Sequence, residues 1–335
     1  MSGSHSGFDR DYLIITGSGR SGTNMLLELL DCHDNTFCRN EPHALETNPV
    51  FPLSEELAED LVPDVTIEAW TDAMRFCGSH NGERDRFDQV GKRYFRPGPL
   101  PALGLNLFKR RRVRSALSVF NPAYRTLEWP CPPLYISRKR LAQSYPVFKI
   151  LRSPIPITAT HAQDPRQRVA HMIRDPKGNL RSWYNRYIVT SVGDPVKVFN
   201  DNMTQVPSIL RHYGEDPDQY GVFSEDALFE TQLWLWRYIQ ETLIDRIGNS
   251  DRYMAFLYAD AVKKPVQTAE KLYGFLGLDF DEATAEKVRS TRNTLFAKGH
   301  SHDVPEIRME RAIERVLTGS KAMDVLGTLQ SKAAA

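Results

Sequence analysis

Tyr12-Leu13-Ile14-Ile15-Thr16-Gly17-Ser18-Gly19-Arg20-Ser21-Gly22-Thr23-Asn24-Met25-Leu26-Leu27 reads as strand, glycine loop and helix in succession. Tyr12 to Thr16 is an apolar run of β-forming residues, and Gly17, Gly19 and Gly22 allow backbone angles closed to other residues. From Thr23 onward the apolar residues take helical spacing. Such a turn aims free backbone N–H groups at one point, at the positive end of a helix dipole. The stretch therefore predicts an anion site, for a phosphate by its form.

Two familiar phosphate loops do not fit. The nucleoside-triphosphatase loop needs a lysine after its last glycine, and Thr23 stands there instead, with the cation moved forward to Arg20. The dinucleotide fingerprint needs an acidic residue closing a second strand, and the expected strand Thr36-Phe37-Cys38 closes on Arg39 and Asn40 instead.

The chain has 335 residues, 41% hydrophobic and 25% charged, which suits one large or two small globular units. A net charge of +1 gives no global attraction to nucleic acid or acidic membranes, so basic function must be local. Cys32, Cys38, Cys77 and Cys131 show neither paired metal-ligand spacing nor disulfide density. No run of about 18 apolar residues occurs to span a membrane, and the start of the chain lacks an apolar leader core. These features predict a soluble, cytoplasmic protein without a membrane span, a nucleic-acid partner or a metal; oligomeric state is not readable.

Thr36-Phe37-Cys38 predicts a second strand running into Arg39-Asn40-Glu41-Pro42-His43. In an open α/β sheet chemistry collects at the carboxyl ends of strands, which places Glu41 and His43 beside the loop as alternative general bases. Residues 49–145 are broken by prolines, with one helix expected over 65–77, and predict an irregular substrate-facing insertion. Within it Lys109-Arg110-Arg111-Arg112-Val113-Arg114 is either a solvated face or a clamp for an anionic acceptor.

Order returns with a strand over 146–152, basic at Lys149 and Arg152, and another over 168–173 with His171 as a core residue. Arg174-Asp175-Pro176 follows, then a helix from Asn179 to Val189 with Pro176 near its start. From there Arg174 and Ser182 can converge on a single phosphate. Residues 191–221 read as loop. A helix is predicted from Ser224 as N-cap to a stop at Gly248, a strand over 252–258, a helix from Pro265 to Gly277, and a terminal helix pair over 305–327.

Arg20-Ser21-Gly22-Thr23 resembles the 5′-phosphosulfate loop of the sulfotransferases, and Arg174-Asp175-Pro176 with Ser182 resembles their 3′-phosphate motif. Tyr258-Ala259-Asp260, Pro265, Thr268 and Phe275-Leu276-Gly277-Leu278 are similar to the family's downstream framework, with alanine where it carries glutamate. Leu295-Phe296-Ala297-Lys298-Gly299 echoes its late nucleotide-closing loop, without the arginine. The pattern is nearest the carbohydrate and bacterial branch, whose use of a nearby glutamate favours Glu41 as base.

The resemblance implies a P-loop-like three-layer α/β fold, a central parallel sheet flanked by helices, as a single domain over 1–335. Its parts would be a loop unit (9–48), the insertion (49–145), a core with the 3′ motif (146–280) and a helical end (281–335). It implies 3′-phosphoadenosine 5′-phosphosulfate as donor and a small-molecule or glycan acceptor, neutral or anionic. Gly19, Arg20, Ser21, Gly22, Thr23 and Asn24 would hold the 5′ end, Arg174 and Ser182 the 3′-phosphate. Arg20 would stabilise leaving-group charge. A kinase-like phosphotransferase and a non-catalytic nucleotide or glycan binder stand as alternatives.

Overall fold

The computed structural model describes residues 10–41, 119, 143–189, 194–295 and 305–334. The elements in order are β1 (Tyr12–Thr16), α1 (Thr23–Leu30), β2 (Thr36–Asn40), β3 (Tyr145–Lys149), α2 (Pro154–Gln163), β4 (Gln167–Ile173) and α3 (Pro176–Tyr184). There follow α4 (Pro195–Met203), α5 (Val206–His212), α6 (Glu225–Ile247), β5 (Tyr253–Leu257), α7 (Tyr258–Lys263), α8 (Pro265–Leu276), α9 (Glu282–Leu295), α10 (Glu306–Leu317) and α11 (Lys321–Ala334).

The five strands form one parallel sheet in the order β2-β3-β1-β4-β5. Side chains alternate across it, and both faces are covered. Tyr12, Ile14, Phe148 and Val169 face a core completed by α2, α3, α6 and α10, while Leu13, Ile15, Val147 and Ala170 face one completed by α1 and α8. That burial on both faces is why β1 is buried at all five positions and apolar from Leu13 to Ile15 without alternation. The result is the three-layer α/β architecture expected from the sequence.

Local chemistry explains the helix ends. Ser224 accepts the Ala227 N–H at 3.0 Å to start the long buried α6. Gly277, at φ 67°, closes α8 as Leu278 donates back to the Tyr273 carbonyl at 2.9 Å. Proline opens α2, α3, α4 and α8 at a position where its missing N–H removes no helical bond.

β1 leads toward β2 on one side, whereas β4 leads toward β5 on the other. The two chains diverge past the sheet's carboxyl edge between β1 and β4, the switch point at which open α/β sheets form their ligand crevice.

Several expectations need correction. Residues 194–221, read as loop, contain α4, α5 and a 3-10 turn at Pro217–Tyr220. The helix after Pro176 is α-helical only to Tyr184 and continues as a π-helical turn, Asn185–Val189. Tyr258 opens α7 instead of ending a strand, and β3 stops at Lys149, three residues short of Arg152. The last helix reaches Ala334. His43, most of the insertion with its helix at 65–77 and basic cluster, Cys77, Cys131 and the loop from Phe296 to Gly299 lie outside the described residues.

Candidate active site

The glycine loop sits in the crevice past β1. Gly17 (φ 152°) lies against β4, where a Cβ would stand 2.6 Å from the Met172 carbonyl oxygen. Gly22 (φ 97°) lies against the Tyr258 ring, where a Cβ would be 2.2 Å from a ring carbon. Both glycines are required by conformation and by space. Arg174 stacks on the other partner of this contact, its guanidinium carbon 4.3 Å from the Tyr258 ring centre.

Loop and α3 are bonded together. Asn179 donates to the Gly19 carbonyl at 2.9 Å and to Ser18 Oγ at 3.2 Å. Arg20 Nε donates to Ser182 Oγ at 3.3 Å, and Arg174 Nη1 donates to the Arg20 carbonyl at 3.2 Å. Ser182 lies three positions after Asn179, on the same helix face. Asp175 caps α3 by accepting the Gly178 N–H at 2.6 Å. The residues expected at the 5′ and 3′ ends of a nucleotide thus meet at Arg20.

Ser21 is fully buried in the loop, and its Oγ has no hydrogen-bond partner among the described residues; the same holds for Arg174 Nε. Burial holds Arg174 below the ordinary arginine range, against the opposing influence of Tyr258 and Asp175. Thr23 is buried, and Asn24 is exposed at the start of α1. Among the described residues no backbone carbonyl accepts the N–H groups of Gly22, Thr23 or Asn24, as expected for a helix start.

Lys149 is the residue that sequence reasoning left without a role. It ends β3 beside Ile15 and Asn40, and its ammonium is buried. It donates to Asn24 Oδ1 at 2.7 Å, Asn40 Oδ1 at 3.0 Å and Glu41 Oε1 at 2.5 Å. Glu41, 30% exposed in this pair, follows β2 with a left-handed backbone of φ 49°. One buried cation therefore joins the loop helix, the β2 end and the candidate base. The signal was present in sequence as a basic residue closing an apolar strand. Asn179 and Tyr258 were likewise given no binding role.

A family model described as a sulfotransferase domain matches residues 9–301. The chain belongs to the sulfotransferase domain family. Its chemistry in general terms is sulfuryl transfer. No curated protein matches the chain. Among solved structures, a sulfotransferase from Mycobacterium avium is similar at 16% identity, over 92% of this chain and 76% of that one, with a TM-score of 0.44. A sulfotransferase from Alicyclobacillus acidocaldarius is similar at 15% identity, over 94% and 100%, with a TM-score of 0.38. A sulfotransferase domain from the curacin biosynthetic pathway is similar at 13%, over 91% and 97%, with a TM-score of 0.42. The family assignment rests on the domain match. Among the described residues of this sulfotransferase no helix is long and apolar enough to cross a membrane, and no group of three metal-ligating side chains occurs.

Proposed function

We propose that this sulfotransferase is a single-domain cytoplasmic enzyme that moves the sulfuryl group of 3′-phosphoadenosine 5′-phosphosulfate to an acceptor hydroxyl, of a carbohydrate or other small molecule. The observation that carries the reading is the junction at Arg20, where the glycine loop, Arg174 and Ser182 are bonded together in the β1–β4 crevice. The residues suit that donor. An orphaned buried hydroxyl on Ser21, an orphaned nitrogen on Arg174 and unpaired helix-start N–H groups are groups that anionic oxygens satisfy.

In this reading the loop from Gly19 to Asn24 binds the 5′-phosphosulfate, and Arg174 and Ser182 bind the 3′-phosphate. The acceptor oxygen bonds to sulfur as the bond from sulfur to the bridging phosphate oxygen breaks, leaving the 3′,5′-bisphosphate. Glu41 takes the acceptor's proton. Lys149 holds that carboxylate in place, and Arg20 stabilises the charge that grows on the leaving phosphate. His43 is the second candidate base. An anionic acceptor is consistent with the basic run at 109–114.

The test is release of the 3′,5′-bisphosphate from donor across neutral sugars, acidic sugars and phenols, for the parent and for Glu41→Gln. We expect transfer by the parent and a loss of about a hundredfold or more in Glu41→Gln with donor affinity retained. Equal turnover in both would move the base to His43. A parent that binds donor and transfers to nothing would make the protein a binder.

A further inference from the structure

Among the described residues, three other than glycine have a left-handed backbone: Arg20 (φ 67°), Glu41 (φ 49°) and Arg152 (φ 54°). All three are charged, and they follow β1, β2 and β3 respectively, on the carboxyl edge of three adjacent strands. A left-handed backbone is unfavourable for a residue with a Cβ, and it persists where the surroundings enforce it, which happens most at functional sites. The first two already belong to the candidate site.

Arg152 meets the same criteria by geometry and charge. The Ile150 N–H is fixed to the Ile15 carbonyl at 2.9 Å, and α2 begins at Pro154, so the chain must turn within a few residues. The turn carries Arg152 to the glycine loop, where its Nε lies 3.9 Å from the position a Gly19 Cβ would take. Its side chain is half-buried, and among the described residues it has no carboxylate or hydrogen-bond partner. Lys149, from the same strand end, is matched by Glu41. Among the described residues no carboxylate compensates Arg152, which lies beside the glycine loop.

We propose that Arg152 is a further donor-binding residue, its guanidinium taking an oxygen of the donor's phosphosulfate from the β3 side of the loop. Arg174 and Ser182 approach from the β4 side. This rests on the donor reading above. An anion between β3 and β4 is then gripped from both flanks of β1, and the left-handed turn at Arg152 is the conformation that brings the second flank within reach.

The test is calorimetric titration of the parent, Arg152→Ala, Arg152→Gly and Ser182→Ala with adenosine 3′,5′-bisphosphate and with adenosine 3′-monophosphate, alongside thermal melts without ligand. Both Arg152 variants should lose about tenfold or more in bisphosphate affinity and nothing in 3′-monophosphate affinity. Ser182→Ala should weaken both ligands. Arg152→Gly should melt at or above Arg152→Ala, because glycine accepts the left-handed turn. Parental bisphosphate affinity in the Arg152 variants, or an equal loss on both ligands, would remove Arg152 from the phosphosulfate site and leave the donor reading standing. A parent that binds neither nucleotide would overturn the donor reading and this proposal together.

Discussion

Lys149 shows why single residues in this site resist reading from sequence. Its three oxygen partners among the described residues stand 125, 109 and 108 residues away, on the loop helix, at the end of β2 and just beyond it. No local pattern announces such a meeting. Arg20 and Glu41 were legible because each lies in or beside a short motif whose chemistry is local. Removing Lys149 would leave Glu41 and two asparagine oxygens facing a vacated buried position. Lys149→Ala is therefore expected to destabilise the fold by about 3 kcal/mol, as for other buried ion pairs that lose one partner, and to abolish transfer. Denaturant unfolding measures the first effect, and an unchanged midpoint would show that the pair does not anchor the site. Arg20 is exposed, and among the described residues its side chain hydrogen-bonds to Ser182 alone. Arg20→Ala is accordingly expected to lower turnover by about a hundredfold or more while leaving the melting temperature nearly where it was. A mutant with near-parental turnover would take Arg20 out of the chemistry.

At the scale of elements, the glycine loop is held between β4 on one side and Tyr258 at the start of α7 on the other. Gly22→Ala meets both a left-handed backbone and the Tyr258 ring, so it should destabilise the protein and weaken nucleotide binding. Tyr258→Ala in the same chain should recover part of the loss by removing the clash, with the backbone penalty remaining. Melting curves of the two single variants and the double variant measure this, and strictly additive losses would contradict the contact. Elements with an apolar core run and a clear local stop or start were legible in sequence: β1 before its glycines, and α6 and α8 between their caps, fall where the spacing puts them. Residues 194–221 were not, and the reason is physical. A proline-rich, polar stretch carries the composition of a loop, but Asp194 and Asp216 cap the turns that Pro195 and Pro217 open, so those two prolines start helical turns. The π-helical turn after Tyr184 has no sequence signature distinct from a continuing α-helix.

For the whole molecule, the sequence supports parallel strands with helices between them, whereas the order β2-β3-β1-β4-β5 depends on which helix covers which face and emerges only in three dimensions. Two buried histidines on β4 and α2 make that packed sheet sensitive to acid. His171 bonds to the Tyr253 hydroxyl at 2.7 Å and His161 to Ser250 Oγ at 2.9 Å. Burial holds each at about 4, against 6.5 for an ordinary histidine, with Arg252 adding to the effect at His161. Between those values the unfolded chain binds protons that the folded protein refuses. Stability is therefore expected to fall as pH drops from about 6.5 toward about 4, by up to about 1.4 kcal/mol per histidine per pH unit. Urea midpoints at pH 7, 6 and 5 measure the slope, and a flat profile would contradict the burial of both rings.

The central claim is that the β1–β4 crevice binds the donor nucleotide. It is tested most directly by thermal unfolding of the purified protein with adenosine 3′,5′-bisphosphate, with ATP and magnesium, and with neither. A ligand at a hundred times its dissociation constant adds about 2.7 kcal/mol of stability, a shift of degrees. Stabilisation is expected from the bisphosphate and none specific to ATP with magnesium; stabilisation by ATP with magnesium alone would contradict a donor site in the crevice.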